Sequence, residues 1–203
     1  MKKTVLTIGV LCCMMLGIDA QTTVESIRKE YNSIKSCLEV MTEDEMIPDD
    51  LCKLHVAQNL PGTGQHFEDI LFYWGDNEDE DEEHDVIYPS HYLRYVQTKY
   101  NYAAREFYEE YMYDAQGNTL FIYARTPDFD FGNGLAYDFR FYFSKGKLIN
   151  VIIKSGPIEG NTFKDVYTGK SLPKQYKEEY ERCLDASKRY KNLYKAIENA
   201  TML

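Results

Sequence analysis

Between residues 24 and 41 the apolar positions Val24, Ile27, Tyr31, Ile34, Leu38 and Met41 fall three or four apart. That spacing lines up one side of a helix, so an amphipathic helix of about 17 residues is expected. Thr22 and Glu25, three apart, outline a capping box at its start. The polar run 42–45 and Pro48 end it.

The period then changes. Residues 51–59 and 67–74 read as strands separated by the turn cluster 60–64. Residues 92–98 give a third strand. Residues 107–113, "FYEEYMY", give a fourth, with a helical alternative over 103–110. A glycine turn at Gly117 leads into a strand over 119–125, and 126–134 is an irregular loop. In 135–143 the residues Tyr137, Phe139, Phe141 and Phe143 alternate with Asp138, Arg140 and Tyr142. Such alternation predicts one buried and one wetter strand face. A turn at 144–147 returns the chain as a strand over 148–154. Ser171 is placed to cap a final helix, with Pro173 in its first turn. Tyr176, Tyr180, Cys183, Ser187, Tyr190, Tyr194 and Ile197 then recur at helical spacing. The fold class expected is α+β: an antiparallel β-meander of about six or seven strands packed by an N-terminal and a C-terminal helix. Both helices are expected on one sheet face.

The first twenty residues change the picture. Lys2 and Lys3 precede an apolar run, Val5 to Gly17, and Ala20 closes the segment. This is the layout of a secretory signal peptide over 1–20. Leu11 before Cys12 fits a lipid-attachment pattern poorly. The expectation is therefore an exported product, in the periplasm or at the cell surface or beyond. A single α+β domain over 21–203 remains, about 183 residues long. No later segment is apolar for long enough to be a transmembrane helix.

The net charge of −10 becomes about −11 once residues 1–20 are removed, since they carry two lysines and one aspartate. Nucleic acid and anionic membrane would repel such a chain. Protein, peptide or glycan partners remain open. Cys37, Cys52 and Cys183 follow the signal segment, and export makes one disulfide plausible without selecting a pair.

Eight of the ten residues in the acidic loop 76–85 are Asp or Glu. Asp79, Asp81 and Glu83 alternate as calcium ligands can, but no glycine stands where the twelve-residue calcium loop needs one. The loop reads as solvated, with weak calcium binding the sharper alternative and no other cofactor expected. "TGKS" at 168–171 lacks the first glycine of a phosphate loop. His55, His66, His84 and His91 show no zinc spacing. Glu109 with Glu110, or Asp128 with Asp130, outline carboxylate pairs of the kind a glycosidase uses.

The aromatic surplus is more informative. One Trp, 18 Tyr and ten Phe all follow residue 20, interleaved with charge as in "YLRYVQTKYNYAAREFYEEYMY". Tyrosine-rich strand faces can hold peptides or sugars by stacking and hydrogen bonding. The candidate ligand-binding residues are Tyr108, Tyr123, Tyr142 and Trp74.

The "FYW" strand, the acidic insertion and the "YDFRFYFSKGKLINVI" hairpin, together with the signal segment, resemble small exported proteins of unknown function from Bacteroides-type gut bacteria. The resemblance implies export and carries over no site residues. "YDAQGNTL" also resembles one unit of tyrosine-aspartate repeats. The function expected is an exported, non-enzymatic binding or inhibitor-like domain. The alternatives are a carboxylate-based hydrolase, or an interaction module that docks through the tyrosine stripe of its final helix.

Overall fold

The computed structural model describes residues 22–41, 47, 50–76, 91–127, 134–160 and 162–201. The signal segment lies outside them, as do most of the acidic loop, including Asp79, Asp81 and Glu83, and the pair Asp128 and Asp130.

Helix α1 runs Val24–Met41. Its cap is one residue later than the sequence suggested. The Thr23 hydroxyl accepts from the Ser26 amide (3.1 Å), and the Ser26 hydroxyl accepts from the Thr23 amide (2.9 Å). The box is therefore Thr23–Ser26, a reciprocal closure of two orphan donors. Eight strands follow: β1 Leu51–Leu60, β2 Gly64–Asp76, β3 His91–Tyr102, β4 Arg105–Tyr113, β5 Thr119–Pro127, β6 Leu135–Ser144, β7 Lys147–Pro157 and β8 Lys164–Gly169. Each pairs antiparallel with the next, and β1 and β8 are the sheet edges. A 3₁₀ turn, Lys174–Tyr176, then leads into α2, Lys177–Thr201. Pro173 stands at its cap without a side-chain bond. Ser171 instead accepts, through its carbonyl, the Tyr167 hydroxyl (2.6 Å).

The strand count is thus eight. The extra strand, β8, is short, polar and mostly exposed, so it carries no apolar alternation to mark it. The 103–110 segment is a tight turn and strand, with Ala103 at positive φ (54°). Lys145 and Gly146 both take positive φ (50° and 72°), the geometry of a two-residue turn that matches strand twist.

The helices lie on opposite faces of the sheet, not together on one. Ile27, Ile34 and Leu38 of α1 pack with Tyr73, Tyr95, Met112, Phe121 and Tyr142. Cys183, Ala186, Tyr190 and Tyr194 of α2 pack with Phe72, Tyr111, Tyr113, Ile122, Phe141 and Val151. The reason is visible in β4, where residues 109–113 are all buried. Successive strand side chains point to opposite sides, so a run buried at every position needs cover on both. Register shifts leave Arg94, Leu120 and Ile149 as extra residues on their strands. Leu120 and Ile149 join the α1 side of the core, and Arg94 reaches Glu30 of α1 (3.7 Å). These bulges widen the α1 face without breaking the packing beneath α2.

The tyrosine stripe of α2 faces the sheet. Tyr190 and Tyr194 are buried and Tyr180 is partly so. Tyr113 donates to the Ser187 carbonyl (2.9 Å) and Tyr190 to Glu68 (2.6 Å), so these two hydroxyls are satisfied where they are covered. The stripe is used in packing, which removes the basis for docking through it.

The three cysteines are free thiols. Cys37 is exposed on α1, while Cys52 and Cys183 belong to the α2 side. The sheet stands between Cys37 and the other two.

Candidate functional site

Glu109 and Glu110 are neighbours in sequence but face opposite sides of the sheet, as strand geometry requires. They cannot share a substrate as a carboxylate pair. Each is buried, at 0% and 2% exposure, and each is given a cation by the helix on its own side.

Under α2, Glu109 accepts from Arg182, from Tyr100 (2.7 Å) and from Tyr111. Arg182 also holds Glu179 through two bonds (3.0 and 2.7 Å), and Thr126 donates to Glu179 (2.7 Å). Burial would lower the Arg182 pKa, but the bonds to Glu179 and the charge of Glu109 outweigh it and hold it above its ordinary value. Cys183, beside this network, has its thiol pKa pushed well up, first by burial and then by Glu179 and Glu109. A buried thiol held protonated is inert, so no cysteine nucleophile is assembled there.

Under α1, Glu110 accepts from Tyr31 (2.6 Å), from Lys35 (3.0 Å) and from Tyr108. This side is open. α1 crosses the strands, with Lys35 over β3 and β4 and Arg28 over Tyr142 of β6. Residues of β4 to β8 beyond it form, together with the helix, a cleft of about 690 Å³. Its size falls in the range of small-molecule sites.

Four tyrosines, Tyr31, Tyr108, Tyr123 and Tyr142, line the cleft with Phe121. Tyr108 meets Tyr123 edge-on (6.0 Å), and Tyr31 meets Phe121 likewise (5.3 Å). The Arg28 guanidinium lies over the Tyr142 ring (5.5 Å) and that of Arg140 over Tyr123 (5.0 Å). Burial, reinforced by the charge of Glu110, raises the phenol pKa values of Tyr31 and Tyr108 far above the ordinary tyrosine value. Burial and the charge of Asp138 do the same for Tyr123. These hydroxyls keep their protons at any working pH.

Of the four residues proposed from sequence, Tyr108, Tyr123 and Tyr142 stand together in this cleft. Trp74 does not. It sits on the opposite face, packed against Tyr194 (6.0 Å) and His91 (5.8 Å). Sequence reasoning missed Arg28, Tyr31 and Arg140. The i,i+2 alternation of Asp138, Arg140 and Tyr142 was a usable signal for Arg140. Nothing in the helical pattern marked Arg28 or Tyr31 as facing a cleft.

Among the described residues no group of three or more His, Cys, Asp or Glu is placed to hold a metal ion. Nor is any helix among them long and apolar enough to cross a membrane. A second hollow of about 500 Å³, lined by Tyr137, Phe139, Tyr176, Glu179 and Arg182, lies at the start of α2.

No family model, curated protein or solved structure matches the chain.

Proposed function

We propose that the protein is an exported binding domain that holds its ligand in the cleft between α1 and β4 to β8. The observation that carries this reading is the convergence of four tyrosines and two ring-stacked arginines on one open hollow. Aromatic rings with polar tips give contact area at low conformational cost, while guanidinium groups orient the ligand. The sheet beneath is packed on its other side by α2, so the cleft floor is rigid before anything binds. Export rests on the layout of residues 1–20.

The binding reading is favoured over hydrolysis by the state of the carboxylates. Glu110 is held by Lys35 and two phenols, and Asp165 at the rim pairs with Lys154 (3.2 Å). Both are occupied by protein groups.

The test is a thermal-shift screen of peptides and oligosaccharides against the wild type and the variants Tyr123→Ala and Tyr137→Ala. A ligand of the native cleft raises the melting temperature of the wild type and of Tyr137→Ala, and the effect is lost in Tyr123→Ala. A ligand whose effect survives Tyr123→Ala and is lost in Tyr137→Ala would move the site to the α2 side.

A further inference from the structure

The unspent charges of the cleft specify what it would hold. Arg28 reaches no carboxylate among the described residues. Its polar contact is the Tyr142 hydroxyl, at 3.3 Å from Nε. Arg140 touches one carboxylate, Asp138, at 3.6 Å. Asp138 is already taken, since Arg125 grips both of its oxygens (2.8 and 3.2 Å). The Nη1 atom of Arg140 is buried and has no hydrogen-bond partner among the described residues. Unsatisfied buried donors are uncommon, and a charged one is costly to leave so.

Tyr142 and Arg140 stand two residues apart on one strand face, hence about 7 Å apart along β6. The two guanidinium groups therefore flank one short stretch of the cleft wall. Surplus positive charge gathers there, although the chain as a whole carries −10. An anionic oxygen matches guanidinium donors in both charge and planar geometry.

The phenols ask for the opposite. Tyr31 donates to Glu110, and Tyr108 to Glu110 or Gln97 (2.9 Å), so neither proton is left for a ligand and these phenols can offer it lone pairs only. A ligand seated there must bring hydroxyl or amide donors of its own. A plain anion satisfies the arginines and leaves the phenols unmatched, and a neutral sugar does the reverse.

We infer that the ligand is a short acidic oligosaccharide, whose oxyanion is held by Arg28 and Arg140 and whose hydroxyls donate to Tyr31 and Tyr108. This rests on the reading of the cleft as the binding site. A carboxylate and a sulfate ester share the chemistry that the arginines recognise.

The experiment is calorimetric titration with oligosaccharides in matched neutral, carboxylated and sulfated forms, and with inorganic sulfate alone. The proteins are the wild type, Arg28→Gln, Arg140→Met, Tyr123→Ala and Tyr137→Ala. Arg28 is exposed, so Arg28→Gln keeps the test valid if Arg140→Met folds poorly. An acidic form is expected to bind at least tenfold more tightly than its neutral match. Each arginine variant is expected to lose at least fivefold, and Tyr137→Ala nothing. The carboxylated and sulfated arms identify which oxyanion is preferred. Equal binding of neutral and acidic forms, abolished by Tyr123→Ala, would keep the cleft as the site and overturn the acidic ligand. Binding of sulfate alone as tightly as the acidic sugar would overturn the oligosaccharide. Failure of every sugar to bind, or acidic binding indifferent to both arginine variants, would overturn the inference altogether.

Discussion

Glu109 and Glu110 make a controlled comparison within one strand. Both are buried carboxylates, and both receive one helix cation and two phenol hydroxyls. They differ in what surrounds the cation. Arg182 bridges Glu109 and Glu179 at the margin of the aromatic layer under α2, beside the smaller hollow. Lys35 holds Glu110 alone, and Glu110 itself lines the larger, open cleft. One face of the sheet has used its polar groups to close a core. The other has left several of them facing a hollow. A buried charge is therefore not by itself a mark of a site, whereas arginines near that charge without a carboxylate of their own are more telling.

Alkali offers the strongest way to break the sealed side. Tyr111, Tyr113 and Tyr190 are fully buried on that side, and burial raises each phenol pKa. Unfolded tyrosines lose their protons near pH 10. Above that pH the unfolded chain binds fewer protons than the folded one. Stability is thus intact below pH 10 and falls as pH rises, by about 1.4 kcal/mol per pH unit for each such tyrosine. Ultraviolet titration of phenolate should show these tyrosines ionising in one cooperative step together with loss of the fold. Gradual ionisation of the folded protein would mean that the α2 side is not sealed.

Arg182→Met should be the most damaging of the ion-pair substitutions. It strands Glu109, and breaking a buried pair costs about 3–5 kcal/mol. For a domain of this size the melting temperature would fall by roughly 10 °C. Lys35→Met should cost less, about 1–2 kcal/mol, because it strands one carboxylate beside an open cleft, whereas loss of Arg182 also leaves Glu179 without its cation. Equal losses in denaturant titrations of the two variants would erase the contrast between the faces. The smallest effect is at the cap: Thr23→Ala should cost about 1 kcal/mol, and Thr22→Ala under about 0.5 kcal/mol. The reverse order would place the cap where the sequence first suggested it.

Much of the fold could be read from local pattern. The α1 stripe, the glycine turns and the alternation in β6 and β7 each reflect one element meeting one surface. What could not be read depended on two surfaces at once. The position of the helices on opposite faces follows from continuous burial in β4, where "FYEEYMY" hides two glutamates among aromatics. The sequence offered those glutamates as a carboxylate pair, because the cations that bury them singly, Lys35 and Arg182, are distant in the chain. Trp74 was proposed as a ligand contact because it is large and aromatic, but its strand parity puts it under α2 with Phe72. Tyr108, Tyr123 and Tyr142 come together because β4, β5 and β6 are neighbours in register, with Tyr123 opposite Glu110 and Arg140. That adjacency was implicit in the meander. The arginines that complete the cleft were not, since one comes from a helix packed across it.

The most direct test of the cleft as a binding site is chemical-shift mapping by NMR, with backbone and tyrosine-ring signals followed as the acidic oligosaccharides are added. The shifts should concentrate on Arg28, Tyr108, Tyr123 and Arg140 and leave Tyr137 and Tyr176 unmoved. Shifts gathered at Tyr137 and Tyr176 beside α2, or no shifts on either face, would contradict it.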